Sequence, residues 1–288
     1  MATAYKRILA FDIGGTGLKA ALVDPRGRFL SDRLRVPTPQ SCPPKTLVKL
    51  LVEMVRPLEG YDAITIGFPG YVRQGVVRTA PNLGTKDWAG FPLERVLSQK
   101  LGKPARLLND ADVQGLAAIK GAGLELVVTL GTGFGTAWFK DGALLPHLEF
   151  AHVPVHHKHD FDTWIGDVER HKIGHKKWAK RVKETFAILQ TVFNYDHLYV
   201  GGGNANRIDF KLPPHVTLIP NEDGMAGAAF VWVRRAVKPA ERRAARGKNK
   251  SSGEAFVPSG AKAGGKKRSR KKISLSGKRK SPAKSSRR

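Results

Sequence analysis

One design occurs twice in this chain: DIGGTGLKAALVDPRG at residues 12–27 and TLGTGFGTAWFKDG at 129–142. Each reads as a buried strand, a glycine and threonine turn, a second strand and a polar turn. Two copies roughly a hundred residues apart imply two halves of similar topology closing on one shared ligand. Glycine corners let backbone N–H groups approach that ligand with no Cβ in the way, which suits an anion.

The remaining pattern fits an α/β chain. RILAFDIG and LKAALVD are adjacent strands, and GRFLSDRLRVP at 27–37 alternates as a third. Leu47, Leu50, Leu51, Met54 and Val55 make a helical stripe over 44–57, and AITIGFPG at 63–70 is a buried strand ending in a Pro-Gly turn. A hairpin and loop are expected at 71–90, then a helix from about Pro92 to Lys100 with Pro92 in its first turn. PARLLND at 104–110 is a short strand, and 111–123 a small-residue helix closed by glycine. After the second hairpin, ALLPHLEFAH continues the sheet, and 153–175 has no clear period and reads as an irregular excursion. Trp178, Val182, Phe186, Leu189 and Phe193 line an amphipathic helix over 176–194. DHLYVGGGNA and HVTLIP are strands, and GMAGAAFVWVRRAV is a closing helix stopped by Pro239.

Charge divides the chain. Of its 50 Lys and Arg and 24 Asp and Glu, 19 basic and two acidic residues follow Val237, so 17 of the 26 net positive charges lie there and nine remain before it. The segment 238–288 is Lys, Arg, Ser, Gly and Ala with few apolar residues, too little to offset the entropy of ordering, and is expected to be disordered. Such a tail binds DNA, RNA or another polyanion without sequence selectivity, or is a solubilising appendage. Cys42 is the one cysteine, which excludes an intramolecular disulfide and a cysteine zinc cluster. The start of the chain carries no export core, and no apolar run approaches the roughly 20 residues that cross a bilayer, so a cytoplasmic protein without membrane contact is expected.

Chemistry gathers at strand ends. Asp12 closes a strand before Gly14, Gly15, Thr16 and Gly17; a carboxylate beside a phosphate calls for a divalent cation between them, so Asp12 suggests Mg²⁺ held through water. Gly131, Thr132 and Gly133 repeat the turn, and a shared phosphate clamp accounts for both copies better than two tight turns do. No GxxxxGK[ST] occurs, which removes the P-loop. Lys19 is either a phosphate ligand or an exposed strand residue. Asn109 and Asp110 stand where a strand passes into a helix, projecting into a cleft or capping the helix. Gly201, Gly202 and Gly203 either lay a nucleotide or phosphates against backbone or mark a crowded crossing. Seven of the nine histidines fall within 147–175, as a substitute zinc site or as a solvated loop that attracts polyanions.

In order, DIGGTG, GFPG, TAPN, LNDAD, LGTGFGT, EFAH and GGG resemble the ROK sugar kinases, and among them the polyphosphate glucokinases, over residues 7 to about 235. The resemblance implies a duplicated actin-like ATPase (RNase H-like) α/β fold, with lobes at 1–110 and 111–237 around a cleft. It makes Asp110 the general base for the 6-hydroxyl of glucose and Asn109 a sugar ligand, with Pro69, Gly70 and Asn82 as pocket wall. Glu149 and His152 match the family's Glu-x-Gly-His pair, although Ala151 replaces its glycine. The usual zinc motif is absent, as it is in polyphosphate glucokinases, so no structural zinc is expected. Mg²⁺, polyphosphate or ATP as donor, glucose as acceptor and a homodimer are the corresponding expectations. Alternatives are an ATP-dependent kinase for another hexose and a sugar-sensing regulator acting through the basic tail. Repressors of the family carry an N-terminal helix-turn-helix domain, and this chain opens on its first strand.

Overall fold

The computed structural model describes residues 5–233, with the side chains of 221–223 aside. The basic tail expected at 238–288, and the last residues of the second lobe, lie outside the described residues. The first half runs β1 (Ile8–Ile13), β2 (Gly17–Val23), β3 (Leu34–Pro37), α1 (Pro44–Met54), β4 (Ala63–Phe68), β5 (Val72–Arg73), β6 (Val76–Val77), α2 (Thr85–Trp88), α3 (Leu93–Leu101) and β7 (Ala105–Asn109). The second runs α4 (Asp110–Ala118), β8 (Leu124–Leu130), β9 (Phe134–Lys140), β10 (Ala143–Leu144), β11 (Pro154–His156), β12 (His159–Asp160), α5 (Phe161–Ile165), α6 (Asp167–Ile173), α7 (His175–Phe193), β13 (His197–Gly201) and β14 (Val216–Leu218).

The two halves repeat one sheet. Strand order is β3-β2-β1-β4-β7 in the first and β10-β9-β8-β13-β14 in the second. In both, an antiparallel hairpin opens the sheet and its first strand then pairs in parallel with a later one: β1 with β2 and β4, β8 with β9 and β13. The duplicated α/β fold is therefore present, two sheet-containing lobes of one topology. Central strands such as ILAFDI and AITIGF are buried along almost their whole length, as strands covered on both faces must be.

Small residues seat α4 between the lobes. Its residue Val113 packs with Ile8, Ala10, Ala21 and Val23 of the first sheet, and Leu116 with Val127, Ala137 and Phe139 of the second. A Cβ on Gly115 would stand 2.7 Å from the Phe139 ring, so only glycine admits this approach. In α7, Trp178, Val182, Phe186 and Leu189 are buried while Lys176, Lys177, Lys180 and Lys183 face solvent. Each buried apolar side chain contributes about 1.5–3 kcal/mol, which outweighs the weak intrinsic stability of one helix.

Several segments depart from expectation, among them the helix after β7, which ends at Ala118 with Ile119 extended and not at the expected glycine. The third strand is confined to Leu34–Pro37, because the Ser31 hydroxyl accepts the Leu22 N–H at 2.9 Å in place of a partner carbonyl and Phe29 makes only an isolated bridge. The sheet after the second hairpin stops at Leu144: Pro146 has no N–H to extend the ladder, and Phe150–His152 form a 3₁₀ turn. Residues 153–175 are ordered, as the β11–β12 hairpin, α5 and α6; Asp160 and Thr163 form a capping box that starts α5. The closing segment is a 3₁₀ helix at Asn221–Ala229, where a Cβ on Gly227 would land on the Val113 carbonyl oxygen, so it lies tightly on α4. Pro92 sits at the N-cap of α3, one position before its first turn. Among the described residues, no helix is long and apolar enough to cross a membrane.

Candidate active site

Carboxylates converge at the carboxyl ends of the parallel strands, where ligands of open α/β sheets bind. Asp12 of β1 pairs in register with Gly67 of β4, and Gly67 with Leu108 of β7, so Asp110 follows two residues beyond that line. A Cβ on Gly67 would stand 3.6 Å from the Asp110 Cα, so β4 passes close beneath the helix start. Asn109 is the N-cap: its Oδ1 accepts the Ala111 N–H at 2.8 Å, and its Nδ2 donates to the Gly70 and Phe68 carbonyls at 3.2 and 3.5 Å. The buried Asn109 amide thus ties α4 to the GFPG turn.

Burial pushes the Asp110 carboxyl up to about 7, and the negative charge of Asp12, then of Asp112, pushes the same way. The Ala111 N–H and the positive charge of His147 oppose them. A carboxyl near 7 changes protonation where a general base must work.

Both glycine turns face outward. The Gly14 N–H donates to the Gly17 carbonyl at 2.9 Å, leaving Gly15 and Thr16 exposed, and a Cβ on Gly15 would stand 3.0 Å from that of Asn82. The structure therefore brings Asn82, itself exposed, against the first turn. Lys19, opposite Asp12 in the hairpin, pairs with its carboxylate at 2.7 Å. The second turn closes from the Gly131 N–H to the Gly133 carbonyl at 3.0 Å and exposes Thr132. The segment after β10 braces it: Asp162 accepts the Phe134 N–H at 2.7 Å, and the Asp167 N–H donates to the Thr132 carbonyl at 3.2 Å.

The third glycine cluster divides. Gly201 and Gly202 are buried; Gly202 has φ +89°, and a Cβ there would collide with the Leu130 backbone. Asn204 follows, donating from Nδ2 to the Gly131 carbonyl at 3.2 Å and to Asp167 at 3.0 Å. Gly202 packs against Leu130 at the foot of the second turn, which is the crowded crossing; a Cβ on Gly201 would meet Gln114 and Ile219, and Gly203 alone of the three is exposed.

Pro69 and Gly70 are buried, and a Cβ on Gly70 would collide with the Thr79 backbone. His152 is exposed and its Nδ1 lies 3.2 Å from Asp160. Glu149 precedes the 3₁₀ turn, and its nearest charged partner is His147, at 3.6 Å from Nε2 to Oε1. Sequence reasoning gave His147 no role beyond the histidine run. Its side chain is only 7% exposed, with Nδ1 3.1 Å from both Asp112 oxygens and the ring stacked on Tyr71 at 6.1 Å. Burial alone would lower its pKa, but the hydrogen bond to Asp112 and the negative charges of Asp112 and Glu149 raise it to about 10. Burial pushes the Asp112 carboxyl up and His147 pulls it back.

Hard oxygen ligands are what Mg²⁺ takes, usually one or two carboxylates with substrate phosphates and water. Asp12 beside the first glycine turn fits that set. Among the described residues no group of three or more His, Cys, Asp or Glu could hold a metal ion; His156 packs on His157, and His156 and His159 both pack on Trp164.

Known proteins carry the same pattern. Residues 8–155 match the ROK family. A polyphosphate glucokinase of Mycobacterium tuberculosis (strain CDC 1551 / Oshkosh) is 32% identical over 248 residues, covering 81% of this chain and 93% of that protein. An inorganic polyphosphate/ATP-glucomannokinase from Arthrobacter sp. strain KM superposes with TM-score 0.70 at 32% identity, over 78% of this chain and 98% of that one. A ROK family glucokinase from Streptomyces griseus, in complex with glucose and AMPPNP, shares the fold at TM-score 0.65 and 21% identity, over 78% and 99% of the two chains. With a family match over half its length and relatives this similar over four fifths of it, the chain belongs to the ROK family.

Proposed function

We propose that the chain is a glucokinase that transfers a phosphoryl group from inorganic polyphosphate, and also from ATP, to the 6-hydroxyl of glucose. The observation that carries the reading is the placement of Asp110: the first residue of α4, at the carboxyl end of β7, within reach of the charges of Asp12 and His147. Names of relatives supply the donor and acceptor classes.

Phosphoryl transfer passes through a loose transition state with charge on the equatorial oxygens, so the protein's work is positioning and neutralisation. Asp110 takes the proton of the 6-hydroxyl as its oxygen bonds to phosphorus and the terminal phosphoanhydride P–O bond breaks. Gly15, Thr16, Thr132 and Gly203 line the donor side, and Lys19 supplies a cation there. Asp12 would hold Mg²⁺ through water, and the ion would neutralise phosphate charge. Asn82, Glu149 and His152 bind sugar hydroxyls, and Asn109 holds their wall in place.

A coupled glucose 6-phosphate assay with polyphosphate and with ATP tests the assignment. Product with polyphosphate is expected; none with either donor removes the reading. Mannose is the second acceptor to assay, since the Arthrobacter enzyme is a glucomannokinase.

Two further results are expected. Asp110 must be deprotonated to act, so kcat/KM for glucose should rise with pH through an apparent pKa near 7, falling about tenfold per unit below it. A profile flat from pH 5 to 8 would contradict the base assignment. Lys176, Lys177, Lys180 and Lys183 of α7 are exposed and give that helix a basic outer face. Polyphosphate KM should therefore climb steeply between 50 and 200 mM salt, on the order of tenfold or more, as counterion release requires, while glucose KM stays level. Equal dependence for the two substrates would exclude that surface, and a chain truncated after Pro239 separates the tail's share.

A further inference from the structure

We infer that His147 is a positioning residue for the acceptor sugar: clamped by Asp112 and stacked on Tyr71, it fixes the Glu149 carboxylate relative to Asp110. The inference rests on the sugar-kinase reading of the same cleft. Three elements meet at this ring, α4, the segment after the GFPG turn and the loop after β10. Asp112 belongs to α4, two residues after Asp110, so the two carboxylates leave the helix on different faces. Asp110 stands at the strand-end cleft, and Asp112 is buried against the loop that follows β10. Tyr71 follows the GFPG turn of the first lobe, and its N–H is held by the Thr79 hydroxyl at 3.0 Å. Glu149 comes from the second lobe.

The last link in this chain is open. Oε1 of Glu149 is buried yet has no hydrogen-bond partner, and 3.6 Å to Nε2 is beyond a good hydrogen bond. A buried acceptor left unmade is costly, and the His147 cation beside it offsets that cost by charge. The Glu149 side chain is still one-third exposed, so its other oxygen takes a sugar hydroxyl while His147 holds Oε1. Nδ1 is committed to Asp112, so the ring cannot swing away without abandoning a buried carboxylate. His147 also sets the field at the base, because its positive charge lowers the Asp110 pKa against the raising effect of Asp12 and Asp112. The charged and titratable groups that face the ring are Asp112 of α4, Glu149 of the loop and Tyr71 of the turn, and its charge also reaches Asp110.

The test uses the full chain with His147→Asn and, separately, Asp112→Asn. Glucose affinity without donor, by calorimetry, should weaken about 10- to 100-fold in His147→Asn, the worth of a hydrogen bond to a charged group, while polyphosphate KM changes less than about twofold on that scale. The acid limb of kcat/KM should move to higher pH. In the wild type the His147 ring, followed by NMR, should stay protonated through pH 8 and shift on saturation with glucose. In Asp112→Asn its pKa should fall towards the ordinary histidine value. A folded His147→Asn that binds glucose like the wild type, equal losses for sugar and donor, or a wild-type ring that titrates near 6.5 overturns the inference. If the variants fail to fold, the wild-type ring decides, and the absence of a glucose-induced shift is then the contrary result. A wild type that binds glucose without phosphorylating it would sink the kinase reading alone; one that binds no glucose would sink both.

Discussion

Asp110→Asn is expected to lower kcat by about 10²- to 10⁴-fold, the range a positioned general base supplies, with glucose affinity nearly unchanged. Asparagine keeps the shape and the acceptor oxygen for the Ala111 N–H, now 2.9 Å from Oδ1, and loses only the capacity to take a proton. The same variant makes a second, opposite prediction for stability. The folded pKa, about 7, lies above the unfolded value of about 3.9. Wild-type stability is therefore fully present below the unfolded value and declines as pH rises through the folded one, because the unfolded chain releases its proton first. Asp110→Asn should melt above the wild type at pH 8, with the gap closing towards pH 4. An inactive variant with no such pH-dependent gain would indicate that the residue is not the half-buried, charge-crowded group described.

Gly202→Ala is expected to be the more damaging of two neighbouring substitutions. Its φ of +89° is strained for any residue with a Cβ, and that Cβ meets the Leu130 backbone, which cannot rotate aside as a side chain can. Strain and overpacking together cost about 3 kcal/mol, a fall in Tm of about 6–12 °C for a chain of this size. Because Leu130 leads into the Gly131–Gly133 turn, donor KM should rise more than glucose KM. Gly203→Ala, whose Cβ meets nothing within 4 Å, should leave Tm within about 1–2 °C. Thermal melts of the two variants check this, and equal losses would contradict the crossing at Gly202.

What the sequence made legible follows from how local each signal is. The hairpins, β4, β7 and α7 are written in consecutive residues, by alternation or by a stripe such as Trp178, Val182, Phe186 and Leu189. The strand-to-helix junction at Asn109 and Asp110 was legible for the same reason. The excursion at 153–175 was not, since α5 and α6 are too short for a period to register, and their one readable sign, the Asp160 and Thr163 capping box, spans four residues. Glycine was ambiguous by nature: composition cannot tell whether an absent Cβ makes room for a side chain, as at Gly15 against Asn82, or for backbone, as at Gly202 against Leu130. The His147 ring escaped altogether, because Asp112 is 35 residues away and nothing in either segment announces the pairing.

Phosphorus NMR of the full chain mixed with glucose, Mg²⁺ and polyphosphate, run beside Asp110→Asn, tests the central claim most directly. The account predicts a glucose 6-phosphate resonance that grows as terminal polyphosphate signal declines, and none of it with the variant over the same period. A sugar phosphate formed at a different hydroxyl, or product formed equally by Asp110→Asn, would contradict it.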